Sequence, residues 1–414
     1  MNAMGKKKIL SMIQYAYNHI PYYNNIFNGI MDDKCYSDIS QIKVDDIPTF
    51  NKGTIKTCGW DNFIDASLRD CGTVPMTAER TQRSNYVIER TSGTTGEAMD
   101  IVWNAADLKC SLSAHWAYRL RRFGVTPSDR FFTSELIKNS TDPFIIRNNA
   151  FVFNSTRYSY DIMRHTIDAI CEFKPKWFLC APSVLYLLIR YANAMNKELN
   201  FRINGIELFS EPSIEHYTSY IKKHINAPII NMYGCTETNG IAYSCEFGNL
   251  HVMENNVYFE ILNKANKTTN NGEGKVCITG LHNRGMPIIK YVLDDTCKYV
   301  DMCRCGKKIV ELTNSRLPTV LLLDDNSICC EGQVIYPLKK FPEFPIYADD
   351  IILRLKRISL SKYVVIVPSA AGRLIDDIIK VLSNVMTCYG IVGINLEVVQ
   401  SDCNEGVEGL LRIL

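Results

Sequence analysis

Hydroxyl side chains and two glycines crowd into the six positions Thr91-Ser92-Gly93-Thr94-Thr95-Gly96. Such a run can cradle phosphate, because glycine lets backbone N–H groups turn toward an anion and Ser or Thr hydroxyls add donors that follow its charge. The same residue types also make ordinary tight turns, and no Gly-Lys-Ser/Thr ending follows, so this is not a Walker loop. Three further groups are compact and polar: Ser210-Glu211, Tyr233-Gly234-Cys235-Thr236-Glu237, and Tyr291-Val292-Leu293-Asp294-Asp295 with Arg316 beyond it. Singly each has a plainer reading, since Glu237 could cap a helix, Asp295 could sit in a turn and Tyr233 could be core.

A second constellation is metallic. Cys245-x5-His251 and Cys303-Arg304-Cys305-Gly306 offer three thiolates and one imidazole, the ligand set of a closed structural Zn²⁺ site with no open position for catalysis. Cys297 is a rival ligand, and buried free cysteines beside a surface histidine are the alternative.

The elements that must position these residues follow from periodicity. Apolar residues recur at helical spacing from Lys8 to Ile26, with Pro21 ending or kinking the helix. Leu108 to Phe123 reads as a helix stopped by Gly124. Strand signals at Arg130–Thr133, Trp177–Cys180, Ile206–Phe209 and Ile229–Tyr233 alternate with helical ones around Ile162–Ile170, Val184–Met195 and Ile214–Lys223. This alternation predicts an α/β layer with a mainly parallel sheet, whose ligands bind at the carboxyl ends of strands, where Ser210-Glu211 and Tyr233-Gly234 fall.

From Val257 to Tyr291 short strands punctuated by glycines predict a small β subdomain. After Arg316, strands at Ile351–Ile358, Tyr363–Val367 and Ile394–Val399 with a helix at Arg373–Met386 predict an α+β module, and Leu317-Pro318 is the expected boundary.

The 414 residues suffice for two or three domains, and 46% hydrophobic composition supports a real core. A balance of 46 Lys plus Arg against 44 Asp plus Glu gives no electrostatic footprint for nucleic acid or an anionic membrane. Sixteen cysteines without a regular framework, no signal peptide and no long apolar run predict a cytoplasmic protein with free thiols.

In their order and spacing the four polar groups resemble the adenylate-forming superfamily, and within it the phenylacetate–coenzyme A ligase-like branch that also holds capsular polysaccharide biosynthesis proteins. Supporting matches run almost end to end: Ala16-Tyr17 with Pro21-Tyr22-Tyr23, Pro48 with Lys52, Pro182-Ser183, Cys245 with His251, Gly280-Leu281 and Met286 to Tyr291. The resemblance implies a large adenylation domain over 1–316, with its β subdomain and zinc site over about 241–316, and a mobile ferredoxin-like α+β lid over 317–414.

It also implies an enzyme that joins a small, aromatic or amino carboxylic acid to the α-phosphate of ATP, then passes the acyl group to coenzyme A, a carrier protein or an amine. Thr91, Ser92, Gly93, Thr94, Thr95 and Gly96 would grip the β- and γ-phosphates and Thr236 the α-phosphate, while Glu237 would bind Mg²⁺, a hard cation suited to carboxylate oxygen. Tyr233 and Gly234 would lie against adenine, Ser210 and Glu211 would border it, and Asp295 would accept from the ribose with Arg316 beside it. His115-Trp116, Ser134, Ala181-Pro182, Asn239-Gly240 and Tyr243 fall near positions that line the acid pocket in relatives, and strand edges in the C-terminal module could pair in a homodimer.

The chain departs from the family in four places. The loop ends Gly96-Glu97-Ala98 where a proline is usual, Asp294 replaces a glycine beside Asp295, and the hinge motif keeps only Arg316. Leu410 stands where a lysine would stabilise the charge of adenylation, a contact commonly worth a few kcal/mol of barrier. Arg412 and Lys52 are the candidate substitute cations. The alternative function is an AMP- or acyl-AMP-binding protein, or a nucleotidyl transferase, with impaired adenylation.

Overall fold

The computed structural model describes residues 3–71, 80–82, 85–91, 99–135, 142–154, 160–210, 215–314, 320–322, 328–330, 352–357, 362–367, 375–376, 379, 383, 395–400 and 410–412. They fall into two compact units. One gathers the described residues of 3–91, 99–122 and 230–314; the other gathers those of 123–229 and from 320 onward.

The first unit opens with two helices, Ala3–His19 and Pro21–Lys34. Pro21 starts the second helix as well as ending the first, because the missing N–H costs nothing in the first turn. Ile9, Met12, Ile13, Ala16 and Ile20 are buried as their spacing predicts, and Tyr23 and Phe27 join them. Tyr22 stacks on Phe63, Phe63 on Phe50, and Phe50 bridges in parallel to Tyr291.

Three sets of antiparallel strands build the rest of this unit. One contains Arg80–Gln82, Tyr86–Arg90 and Asp100–Asn104. In the second, Asn239–Ser244 pairs with Ile229–Cys235 on one side and Leu250–Val252 on the other. The third orders its five strands Thr268–Thr269, Val257–Leu262, Glu273–Gly280, Tyr291–Met302 and Lys308–Asn314. The helix Ala105–Phe123 begins three residues earlier than its apolar spacing suggests and stops at Gly124, at φ 63°.

In the second unit, Gly205–Leu208, Trp177–Cys180, Phe131–Glu135 and Ala150–Asn154 run parallel in that order. Phe144–Arg147 adds an antiparallel edge, so the sheet is mixed. The hairpin from 144 to 154 was not anticipated: its apolar run lacks the alternation that marks a strand. Helices Tyr160–Phe173, Pro182–Ala194 and Glu215–His224 accompany the strands, and Phe132, Phe151, Phe153, Phe178, Leu185 and Ile221 fill the core between them.

Farther on, Ile352–Arg357, Lys362–Val367, Asn395–Gln400 and Leu410–Arg412 form a four-stranded sheet, with Lys362–Val367 and Asn395–Gln400 parallel. The expected boundary at Leu317-Pro318, and most of the expected helix Arg373–Met386, lie outside the described residues.

Candidate nucleotide and metal sites

In the first unit, strand Ile229–Cys235 delivers Tyr233 and Gly234 to a tight turn, Thr236-Glu237-Thr238, before the chain returns as Asn239–Ser244. A Cβ on Gly234 would stand 2.3 Å from the carbonyl oxygen of Asn239, so only glycine permits this return. The turn is held from outside. Trp103 Nε1 donates to the Thr236 carbonyl at 3.2 Å, and the buried Asn256 amide donates to the carbonyls of Thr238 (2.8 Å) and Gly240 (2.6 Å).

Strand Tyr291–Met302 of the neighbouring sheet brings the second half of the constellation. Tyr291 donates its phenol to Glu237 Oε1 at 3.1 Å, both side chains being buried. Tyr233 donates to Asp295 Oδ2 at 2.9 Å. Burial first, then the charge of the adjacent carboxylate, pushes both phenols well above their ordinary range, so each stays a donor. Two carboxylates from two sheets are thus each fixed by one tyrosine. Tyr291 carries no role in the sequence argument beyond its place in the motif, yet it anchors Glu237.

Asp294, the glycine replacement, is 63% exposed and pairs with Lys275 at 3.6 Å. Its carboxylate is therefore turned to Lys275 and solvent, whereas that of Asp295 is held by Tyr233.

Thr91 lies at the root of the glycine-rich loop. Its N–H donates to the Met99 carbonyl (2.9 Å) and its Oγ1 accepts from Met99 N (2.8 Å), closing the loop at its base above the Arg90–Asp100 ion pair. Lys52 Nζ lies 3.4 Å from Thr91 Oγ1. Lys52 opens the short helix Lys52–Cys58, capped by Asn51, directly after Phe50. Ser92, Gly93, Thr94, Thr95, Gly96, Glu211 and Arg316 lie outside the described residues, as do the side chains of Leu410 and Arg412. Ser210, in the second unit, follows strand Gly205–Leu208 at φ 73°, a conformation rare for a residue with a side chain.

Of the expected acid-pocket residues, His115, Asn239, Gly240 and Tyr243 belong to the first unit. There His115 is buried, and a Cβ on Gly240 would meet its Nε2 at 2.3 Å. Trp116 belongs to the same unit, under the guanidinium of Arg119 at 4.7 Å. Ser134, Ala181 and Pro182 belong to the other unit.

The metal-ligand set comes together. One ligand atom each from Cys245, His251, Cys303 and Cys305 lies within 4.8 Å of all the others. Cys245 comes from the turn between Asn239–Ser244 and Leu250–Val252, His251 from the strand Leu250–Val252 itself, and Cys303 and Cys305 from the turn between Tyr291–Met302 and Lys308–Asn314. His251 Nδ1 is 2.8 Å from the Lys308 carbonyl, which can only accept, so Nδ1 carries the proton and Nε2 faces Cys305 Sγ at 3.2 Å.

Cys245 and Cys303 sulfurs are 3.7 Å apart, and Asn249 donates to Cys303 Sγ at 3.3 Å. The Cys305 amide, helped by Asn249, brings the Cys303 thiol down to about 6, the direction a metal-binding thiolate needs. Cys297, the rival, is buried outside this group, and burial pushes its thiol up to about 12. Asn249 and Lys308 were not anticipated, because outer partners of a ligand set have no spacing rule.

No helix among the described residues is long and apolar enough to cross a membrane. A search of curated proteins finds no match to the chain. Among solved structures, 2-hydroxyisobutyryl-CoA ligase in complex with 2-HIB-AMP and CoA, in the thioesterification state, superimposes with a TM-score of 0.61 at 17% identity, covering 98% of this chain and 89% of that one. The same ligase in the postadenylation state with R3-HIB-AMP gives 0.58 at 16% identity, covering 96% and 85%. At this identity the likeness speaks for the fold. The AMP-binding enzyme family model matches residues 37–283, which include the Thr91 loop, Glu237 and the turn that locks it. With that match over more than half its length, the chain belongs to the AMP-binding enzymes of the adenylate-forming superfamily.

Proposed function

We propose that the protein is an AMP-forming ligase of the phenylacetate–coenzyme A ligase-like branch, activating a small carboxylic acid with ATP and handing the acyl group to a thiol or an amine. The observation that carries this is the pair Tyr291–Glu237 and Tyr233–Asp295, which places the two motif carboxylates in one unit, each preorganised by a phenol.

In the first step a carboxylate oxygen of the acid attacks the α-phosphorus and the bond to pyrophosphate breaks, leaving acyl-AMP. In the second, the thiol or amine attacks the acyl carbonyl, loses its proton and expels AMP. Glu237 would hold Mg²⁺, which when bound neutralises phosphate charge. Thr236 would donate to the α-phosphate, Tyr233 would lie against adenine, and Asp295 would accept from the ribose. Lys52, beside Thr91, is the cation best placed to serve the phosphates. The roles of Ser92 to Gly96, Ser210, Glu211, Arg316 and Arg412 rest on the sequence resemblance alone.

The Cys3His group fits Zn²⁺ with a structural role: three sulfurs and one nitrogen are the donor set of a closed site. Cys245, His251, Cys303 and Cys305 would hold it, tying two hairpins together.

ATP–pyrophosphate exchange over a panel of aryl, amino and fatty acids tests the reading. Exchange with one acid and not the others names the substrate. Leu410 favours a second reading, a protein that binds AMP or acyl-AMP without making it efficiently; ATP binding with no exchange for any acid would select it.

A further inference from the structure

Lys290 immediately precedes the strand that carries Tyr291 and Asp295. It sits at φ 64°, the left-handed region that residues with a Cβ avoid, and its side chain is 2% exposed. Its ammonium donates to Glu260 Oε1 at 3.2 Å and to Thr268 Oγ1 at 2.6 Å. Glu260 is itself 3% exposed, and its second oxygen is buried with no hydrogen-bond partner among the described residues.

The sheet register explains what this arrangement does. Glu260 pairs with Cys277 and Phe259 with Ile278, while Ile278 pairs with Tyr291. By the two-residue period of a strand, Glu260, Cys277 and Thr279 share one face, and Phe259, Ile278 and Tyr291 the other. Lys290 belongs to the Glu260 face: its backbone N–H also donates to Thr279 Oγ1 at 3.0 Å. Its carbonyl accepts from Phe50 N at 3.1 Å, and Val292 N donates back to the Phe50 carbonyl at 2.8 Å. The left-handed turn at Lys290 is therefore where the chain enters the strand and where the facing of Tyr291 is set.

We propose that the buried Lys290–Glu260 ion pair is a positioning device for Glu237: it holds Lys290 in a conformation its side chain disfavours, and that turn aims the Tyr291 phenol at the Glu237 carboxylate. An ion pair this deep adds little net stability over apolar residues, but a single arrangement satisfies it, which suits it to fixing one backbone conformation. The inference rests on the reading that Glu237 serves Mg²⁺ and ATP.

Lys290→Ala and Lys290→Gly are compared in a Glu260→Gln background, where no buried charge is stranded and only the backbone preference at residue 290 differs. The readout is the Mg²⁺ concentration that half-saturates ATP binding, with thermal unfolding followed alongside. Lys290→Ala/Glu260→Gln raises that midpoint roughly 10- to 100-fold, the usual cost of losing a partner behind a metal ligand. Lys290→Gly/Glu260→Gln returns it to near the wild-type value, and Tyr291→Phe, which keeps the ring, reproduces the rise.

Equal midpoints for the alanine and glycine variants, or an unmoved midpoint in Tyr291→Phe, overturn the inference alone. A Glu237→Gln protein with wild-type Mg²⁺ dependence overturns the nucleotide reading, and the positioning role with it.

Discussion

Stripping metal from the Cys3His group should loosen the first unit by an amount the chain geometry sets. Cys305 and His251 lie 54 residues apart in sequence, and their ligand atoms are 3.2 Å apart in space. A cross-link closing a loop of that length removes about 4 kcal/mol of unfolded-state entropy. For a unit of roughly 200 residues, this corresponds to a fall in Tm of roughly 8–16 °C. The assay is thermal unfolding of reduced protein before and after chelation, with metal measured by elemental analysis. Cys303→Ser should give a similar fall, and chelation of that variant should add little, because both perturbations open the same link. Protein purified without chelator that carries well under one equivalent of metal, and whose Tm does not move on chelation, would refute the argument.

Other consequences are more local. Lys52→Met should lower the rate of ATP–pyrophosphate exchange roughly 100-fold with little change in Tm, since it removes a charge next to Thr91 at a half-exposed helix start; a change under about threefold would show that the ammonium is elsewhere during reaction. Leu410→Lys should raise the exchange rate tenfold or more, about 1.4 kcal/mol, and should partly rescue Lys52→Met if the two cations serve the same phosphate. Gly234→Ala should abolish ATP binding measured by calorimetry, because the new Cβ meets backbone and not a movable side chain; retained affinity would mean that the strand return can shift.

His282, 2.9 Å from the Asn255 carbonyl, is held below its ordinary value by burial and then by nearby Lys8. The stability it contributes is therefore present above pH about 6.5 and lost as pH falls below it. In His282→Gln the urea midpoint should fall less steeply on acidification from pH 6.5. An unchanged slope would remove His282 from the pH dependence.

The α/β alternation was legible because strands such as Trp177–Cys180 are short, apolar and bounded by turn residues, and the helices between them keep a 3.6-residue stripe. The hairpin at 144–154 was not, since its apolar run shows no polar–apolar alternation to read. At the candidate sites, residues whose chemistry depends on spacing along the chain were visible: Cys245 with His251, Cys303 with Cys305, and Glu237 three residues after Gly234. Residues that act through sheet register were not. Nothing in Lys290 or Glu260 hints that the chain folds so as to pair residues 30 positions apart, because the pairing is set by which strand neighbours which.

The structure also sorts the sequence departures by consequence. Asp294 looks damaging on paper, a second carboxylate next to the one expected at the ribose, but it lies at solvent against Lys275, where an exposed pair at 3.6 Å has little energetic weight. Leu410 is of another kind. A strand position can hide an unwanted charge by facing it outward, whereas no orientation of an alkyl side chain supplies a missing one. If charge at the reacting phosphate is restored, it must come from a cation on another segment, and Lys52 has the geometry for this: it is tied through Phe50 to Tyr291 and through its own ammonium to Thr91. The same short stretch, residues 50 to 52, therefore touches both the strand that holds Glu237 in place and Thr91 at the root of the glycine-rich loop. A cation anchored there is fixed in the same unit as Glu237 and Asp295.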